Sequence, residues 1–308
     1  MSFIRLTDDP IVKRLRWIMA GAMLFSIVNT LAGQPGTFWS DPGSAIRGDG
    51  LSIHNPTNHS FEFFLGYGWQ AYLAATLAYL AAAFLLVSLL PRKAALVSAF
   101  SFVFGHYFGA SNWLAVRWHL GAQGFIVYGI VLSTILVLAA FPAVEDTSTA
   151  IRRLRWVMLA TMALDFTITL LGQPDSYWLH PETVNEANQL FRGFMVRGWT
   201  AYLLFDLFYL LGTFVLVSML PRMTALISIF AFIFGHVLGL STWLFYRWRL
   251  GMEAPVAYGI VVSIAIVWLT FPSAEERPEH LIWSYRDGDR RVTRSSSLRR
   301  LQCWLCGR

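Results

Sequence analysis

The chain has 308 residues, 56% of them hydrophobic and only 14% charged, with a formal net charge of +6. Soluble domains carry about 25% charged residues and 45–50% apolar ones, so this composition belongs to the membrane class. The positive charge is no argument for nucleic-acid binding, because the Lys and Arg residues cluster at the ends of apolar runs and in the C-terminal tail, where orientation and lipid headgroups explain them.

A basic flank, Lys13-Arg14-Leu15-Arg16, precedes the first apolar run, which extends to about Gly33. Met1 to Pro10 is polar and the run that follows is long enough to span, so no cleavable signal peptide is expected. Residues Pro35 to Glu62 are rich in Gly, Pro, Asn and Ser and read as an irregular polar loop. A second run covers Phe63 to Leu90 and stops at Pro91-Arg92-Lys93. The third, Ala94 to Val116, would be about 34 Å long as a helix, enough for a bilayer core of about 30 Å. The fourth, Phe125 to Phe141, is rather short and stops at Pro142.

After a polar linker, Glu145 to Ala150, the pattern begins again. Phe104 to Gly121, FGHYFGASNWLAVRWHLG, returns at Phe234 to Gly251 as FGHVLGLSTWLFYRWRLG. Gly33-Gln34-Pro35 returns as Gly172-Gln173-Pro174, Trp69 and Tyr72 as Trp199 and Tyr202, and Pro91-Arg92 as Pro221-Arg222. Matches that run in register along the whole unit indicate duplication. The expected fold is an all-α integral membrane protein with eight transmembrane helices, arranged as two tandem parallel four-helix repeats, residues 1–145 and 151–273. An even number of spans per repeat gives both the same orientation, with an axis along the membrane normal. One face carries 10 Lys and Arg residues before the tail is counted and the other carries 6, which places both termini in the cytoplasm of a multi-pass inner (plasma) membrane protein.

Residues 275–308 differ in kind, being polar and Arg-rich, and read as a disordered basic cytoplasmic tail. Cys303 and Cys306 lie there as a lone CxxC without the second pair that zinc requires. No metal site is expected, and the sequence fixes no cofactor.

The chemistry is sought among polar residues that share a helix face at i, i+3, i+4 and i+7. The first helix of each half aligns Ser26, Thr30 and Gln34 with Asp165, Thr169 and Gln173. The second aligns Tyr72, Thr76 and Tyr79 with Tyr202, Asp206 and Tyr209. The third gives the stripe His106, Gly109, Trp113 and Arg117, matched by His236, Gly239, Trp243 and Arg247. Tyr128 and Ser133 on the fourth match Tyr258 and Ser263. Hydroxyls on such faces ordinarily bond a neighbouring helix, Gly109 and Gly239 suit close packing, Trp118 and Trp248 suit interfacial anchors, and Arg117 and Arg247 suit snorkelling. The structural reading is weakest for His106, His236, Asp165 and Asp206, because ionisable groups at membrane depth are costly and mark function by default. Asp165, Asp206 and His236 would form a proton- or cation-binding cluster, with a neutral version in the first half. The candidate binding residues are therefore His106, His236, Asp165, Asp206, Gln34, Gln173, Trp113, Trp243, Arg117, Arg247, Tyr72 and Tyr202; none is assigned a catalytic role.

The function expected from these faces is a transporter or channel. It would carry a small, anionic solute between the halves, near His106 and His236, with Arg117 and Arg247 drawing it in. The alternative is a membrane redox or pigment protein with the two histidines as haem or tetrapyrrole ligands. A lipid-active enzyme is less supported: His106 and Ser111 are about 140° apart around one helix and cannot form a Ser–His pair. His54, His59 and Glu62 form a metal-capable set, for which the second half offers His180, Glu182 and Glu186. A scaffold in a larger membrane complex is the remaining class. The expected partners are the bilayer, a small solute, and further copies or subunits.

Overall fold

Asp9 starts the first helix by accepting hydrogen bonds from the backbone N–H groups of Ile11 and Val12, with Pro10 at the first helical position, where its missing N–H costs nothing. The computed structural model describes residues 9–43, 62–143, 147–186, 188–271, 285–287 and 290–292. Eight long helices carry the first of its two units, Met1–Phe271. They are α1 (Pro10–Ala32), α2 (Trp69–Leu89), α3 (Arg92–Asn112), α4 (Gly121–Ala140), α5 (Thr147–Leu171), α6 (Trp199–Met219), α7 (Arg222–Thr242) and α8 (Glu253–Thr270). All eight are long and apolar enough to cross a bilayer. The second unit, Pro272–Arg308, is described only where Tyr285–Asp287 and Arg290–Val292 pair as antiparallel strands, Tyr285 opposite Val292. Ser295–Ser297, Cys303 and Cys306 lie outside the described residues.

Two apolar runs have ends that composition misplaces. The second run does not begin at Phe63. Glu62–Leu65 is a separate short helix, and Gly68, at φ +105, turns the chain before α2 starts at Trp69. Gly198 has the same φ and sets off the short helix Gln189–Met195 from α6. An L side chain is strained at that φ, so glycine fixes both breaks. The fourth run is longer than composition suggests, because α4 begins at Gly121 and includes the polar Gln123.

Helix α3 packs on α1, α2, α4 and α8, and α7 packs on α5, α6, α8 and α4; the two also meet each other. The spans containing α3 and α7 are 67% and 56% buried, against 28% for α2 and 22% for α6. Thus α3 and α7 lie at the centre, while α2 and α6 present Leu85, Leu86, Leu207, Phe208 and Leu211 outward to the lipid. Aromatic rings close the α3–α7 seam. Phe100 stacks on Phe230 at 6.2 Å, and Phe104 meets Phe234 at 4.8 Å. Phe141 and Phe271 cap the same seam at one end, 5.9 Å apart. Beside Phe104, where α3 meets α7 and α8, only about 10 Å³ is left open, at the lower limit for a single water.

Candidate functional site

Each central helix turns its histidine away from the aromatic seam. His106 is two residues from Phe104, and His236 two from Phe234, about 200° around a helix of 3.6 residues per turn. His106 therefore faces Tyr79 of α2, ring centroids 6.1 Å apart. His236 faces Phe166 of α5, edge-on at 5.2 Å, and Tyr209 of α6 at 6.2 Å. Both imidazoles are buried, but in separate places, each among helices of its own half. They do not share a site between the halves, as the sequence stripes suggested, because the bulky members of each stripe's helix fill that seam.

In the second half the histidine has a partner. His236 Nδ1 and Asp165 Oδ2 are 2.8 Å apart, a hydrogen bond whose proton sits on the nitrogen or on the oxygen. Gly239, one turn beyond His236 on α7, makes this possible. A Cβ there would lie 2.6 Å from Asp165 Oδ2 and 2.8 Å from Oδ1, so the carboxylate occupies the space of the missing side chain. The other oxygen, Asp165 Oδ1, has no hydrogen-bond partner, and neither does either oxygen of the buried Asp206. The Tyr202 hydroxyl approaches Asp206 without reaching hydrogen-bond geometry. Asp206, Tyr202, Tyr209 and Tyr258 lie close enough to Asp165 for its charge to act on them. The Tyr258 hydroxyl is likewise buried without a partner.

The first half builds a neutral counterpart. Ser26 stands where Asp165 does and Thr76 where Asp206 does. The Thr76 hydroxyl donates to the Tyr72 carbonyl at 2.8 Å, and Thr30 donates to the Ser26 carbonyl at 2.9 Å. His106 Nδ1 is buried without a partner. The two buried imidazoles thus differ in whether an acid stands beside them.

The remaining candidates stand at the ends of the spans and tie elements together. Trp113 Nε1 donates to Thr30 Oγ1 at 2.9 Å. Trp243 lies against Gly172, where a Cβ would come within 2.5 Å of its ring. Both tryptophans open a π-helical turn, Trp113–Arg117 and Trp243–Arg247, a local geometry that recurs at functional sites. Arg247 Nε donates to the Gly172 carbonyl at 2.7 Å, and Arg117 Nε donates to that of Gly33. The arginines therefore satisfy the carbonyls left unpaired at the ends of α5 and α1. Gln34 Nε2 donates to the Thr30 carbonyl at 3.0 Å. Gln173 donates to Thr169 O and Asn185 O and accepts from the Asn185 N–H at 2.8 Å. Composition did not reveal this link between Gln173 and the following loop. It also missed Asn29, whose Oδ1 accepts from Trp118 Nε1 at 2.8 Å, although an asparagine in an apolar helix is itself a signal.

Among the described residues no group of three or more His, Cys, Asp or Glu side chains is placed to hold a metal ion. His54, His59 and the side chain of Glu62 lie outside the described residues. His180 pairs with Glu182 at 3.4 Å on the exposed surface, while Glu186 is half-buried and accepts from the Asn188 N–H.

Eight apolar spans around buried polar groups define a multi-pass helical membrane protein. The chain matches no known protein family, and neither a curated protein nor a solved structure proved similar to it.

Proposed function

We propose that this protein is a carrier for a small solute, built from two parallel four-helix repeats, with a proton-binding site in the second repeat at Asp165 and His236. Support for the repeat comes from matched contacts. The pairs α1–α2, α1–α3, α1–α4, α2–α3 and α3–α4 recur as α5–α6, α5–α7, α5–α8, α6–α7 and α7–α8, and α3–α8 is mirrored by α7–α4. This is the pattern of a two-fold axis through the α3–α7 seam.

One observation carries the functional reading: a carboxylate–imidazole pair at membrane depth, 2.8 Å apart, beside three buried carboxylate oxygens without partners. An ionised carboxylate in such a place costs several kcal/mol unless it is paired, so it takes up a proton or a cation. Such groups are retained within membrane spans for ion pathways and proton relays. Arg117 and Arg247 each give Nε to a helix-end carbonyl, which accounts for their place without an anionic solute, while their remaining N–H groups keep the charge available. A single haem held by both histidines draws none either, because the aromatic seam separates them.

The test is electrical. Purified protein in vesicles on a supported membrane is given an acid step, alone and then with a mixture of amino acids, sugars, amines and organic acids. The expected result is a transient proton current alone, prolonged by the carried solute, and absent in Asp165→Asn. A current indifferent to Asp165→Asn, or no current at all, contradicts the proposal.

A further inference from the structure

We infer that the Asp165–His236 site receives its proton from one face of the membrane only, the face carrying the 174–188 connection, by way of Glu186 and Asp206. This rests on reading the pair as a proton site.

The depth of the groups sets the argument. Asp165 is six residues before the end of α5, His236 six before the end of α7, and Asp206 seven after the start of α6. At 1.5 Å per residue Asp165 and Asp206 lie about 9 and 10.5 Å below those ends; His236 is level with Asp165 through their hydrogen bond, although its span continues through the π turn to Arg247. Those ends carry the 174–188 connection, which Gln173 holds down by its paired hydrogen bonds to Asn185. The next residue, Glu186, is half-buried; its Oε1 accepts from the Asn188 N–H at 2.6 Å, and its charge reaches Asp206 and Tyr202. Asp206 is only 4% exposed, yet neither oxygen has a partner. It is thus an unsatisfied buried acceptor on α6 at the depth of the Asp165–His236 pair, and its charge environment includes both Asp165 and the Glu186 carboxylate of the loop. The tyrosines facing Asp165 are Tyr202 and Tyr209 from α6 and Tyr258 from α8. Arg192 and Arg197 stand on the same face, and Arg247 is bonded to the carbonyls of Gly172 and Gln173.

Toward the opposite face a groove of about 240 Å³ between α5 and α8, from Tyr258 to Trp156 and Leu269, is lined by apolar side chains apart from Tyr258 and Thr161, and carries no chain of polar groups. Met158, Met162, Leu226, Ile229 and Ile233 are fully buried there. The hydroxyls of Thr161 and Ser263 donate to their own helices, at 2.8 Å to Met158 O and 2.7 Å to Gly259 O. The next ionisable side chain along α5 is Arg155, ten residues or about 15 Å from Asp165, and it is engaged with Ser218 and the Phe214 ring. A proton from water at the loop face therefore passes to Glu186, to Asp206 and then to the pair, adding one positive charge to the site, and leaves elsewhere only if the apolar plug moves. The first half has no such line, because Thr76 and Ser26 replace the acids.

Sidedness is the measurement. Vesicles are sorted by orientation through a cysteine at position 179 (Leu179→Cys, with Cys303→Ser and Cys306→Ser), since Leu179 is 83% exposed on the loop face. The acid step is then applied to each orientation without solute. The expected result is a fast charge displacement only when the loop face meets the acid, slowed at least about tenfold in Glu186→Gln or Asp206→Asn. Equal displacement from both faces overturns the one-sided path while leaving the proton site standing, and so does an unaltered rate in both variants. No displacement from either face removes the proton site, and this inference falls with it.

Discussion

At the scale of single residues, Gly239 and Asp165 form one fit. The carboxylate lies where a Cβ would be, 2.6 Å from its Oδ2, and it can give way only by leaving its hydrogen bond to His236. Gly239→Ala should therefore displace Asp165 from His236. The expected cost is about 1–3 kcal/mol by overpacking, read as a lower midpoint of thermal unfolding in detergent, with loss of the acid-step current. Gly212→Ala serves as the control, because nothing lies within 4 Å of a Cβ at Gly212. The sequence made each member of this group legible separately. Asp165, Asp206 and His236 stand out as ionisable groups in apolar runs, and helical spacing places Gly239 on the histidine's face. The pairing itself was not legible, since the period of one helix fixes a face but not which neighbouring helix meets it, nor at what height. For the same reason Arg117 and Arg247 resembled a charged mouth. Their hydrogen bonds to Gly33 O and Gly172 O, at the ends of α1 and α5, show only in the structure.

Among the elements, α3 and α7 carry the largest share of packing, and the phenylalanines between them form its centre. Phe104 and Phe234 are almost fully buried and 4.8 Å apart. Phe104→Ala or Phe234→Ala should each destabilise the protein by about 3–5 kcal/mol. Because the rings touch, the double variant should cost less than the sum. Denaturant titration in micelles measures this, and additive losses would mean that the two rings do not share one contact. The number of helices and most of their ends were plain from apolar runs, prolines and basic flanks. The exceptions have local causes: Gly68 and Gly198 at φ +105 break a run that composition presents as continuous. The central place of α3 and α7 was not evident, because hydropathy does not sort central from outer helices: the α3 span has 1.3 and the α7 span 2.1, with the outer α2 and α6 between them at 2.0 and 1.9.

For the whole molecule, an even number of spans brings the connections after α1 and α5 to one face. Ser40→Cys and Leu179→Cys, each in a chain lacking Cys303 and Cys306, should both react with a membrane-impermeant thiol reagent from outside intact cells. Reaction of only one of them would break the parallel arrangement, and reaction of neither until the cells are opened would reverse the orientation drawn from Lys and Arg. Residues 151–271 hold a buried histidine beside an acid and residues 9–143 one without, so the two can be compared within a single protein. The central claim is that Asp165 and His236 hold a proton inside the membrane. Infrared difference spectroscopy between alkaline and acid buffer tests it most directly. The account predicts a protonated-carboxyl band that shifts in heavy water, is lost in Asp165→Asn and is altered in His236→Gln, while His106→Gln leaves it in place. A spectrum without that band, or one that Asp165→Asn leaves unchanged, would contradict it.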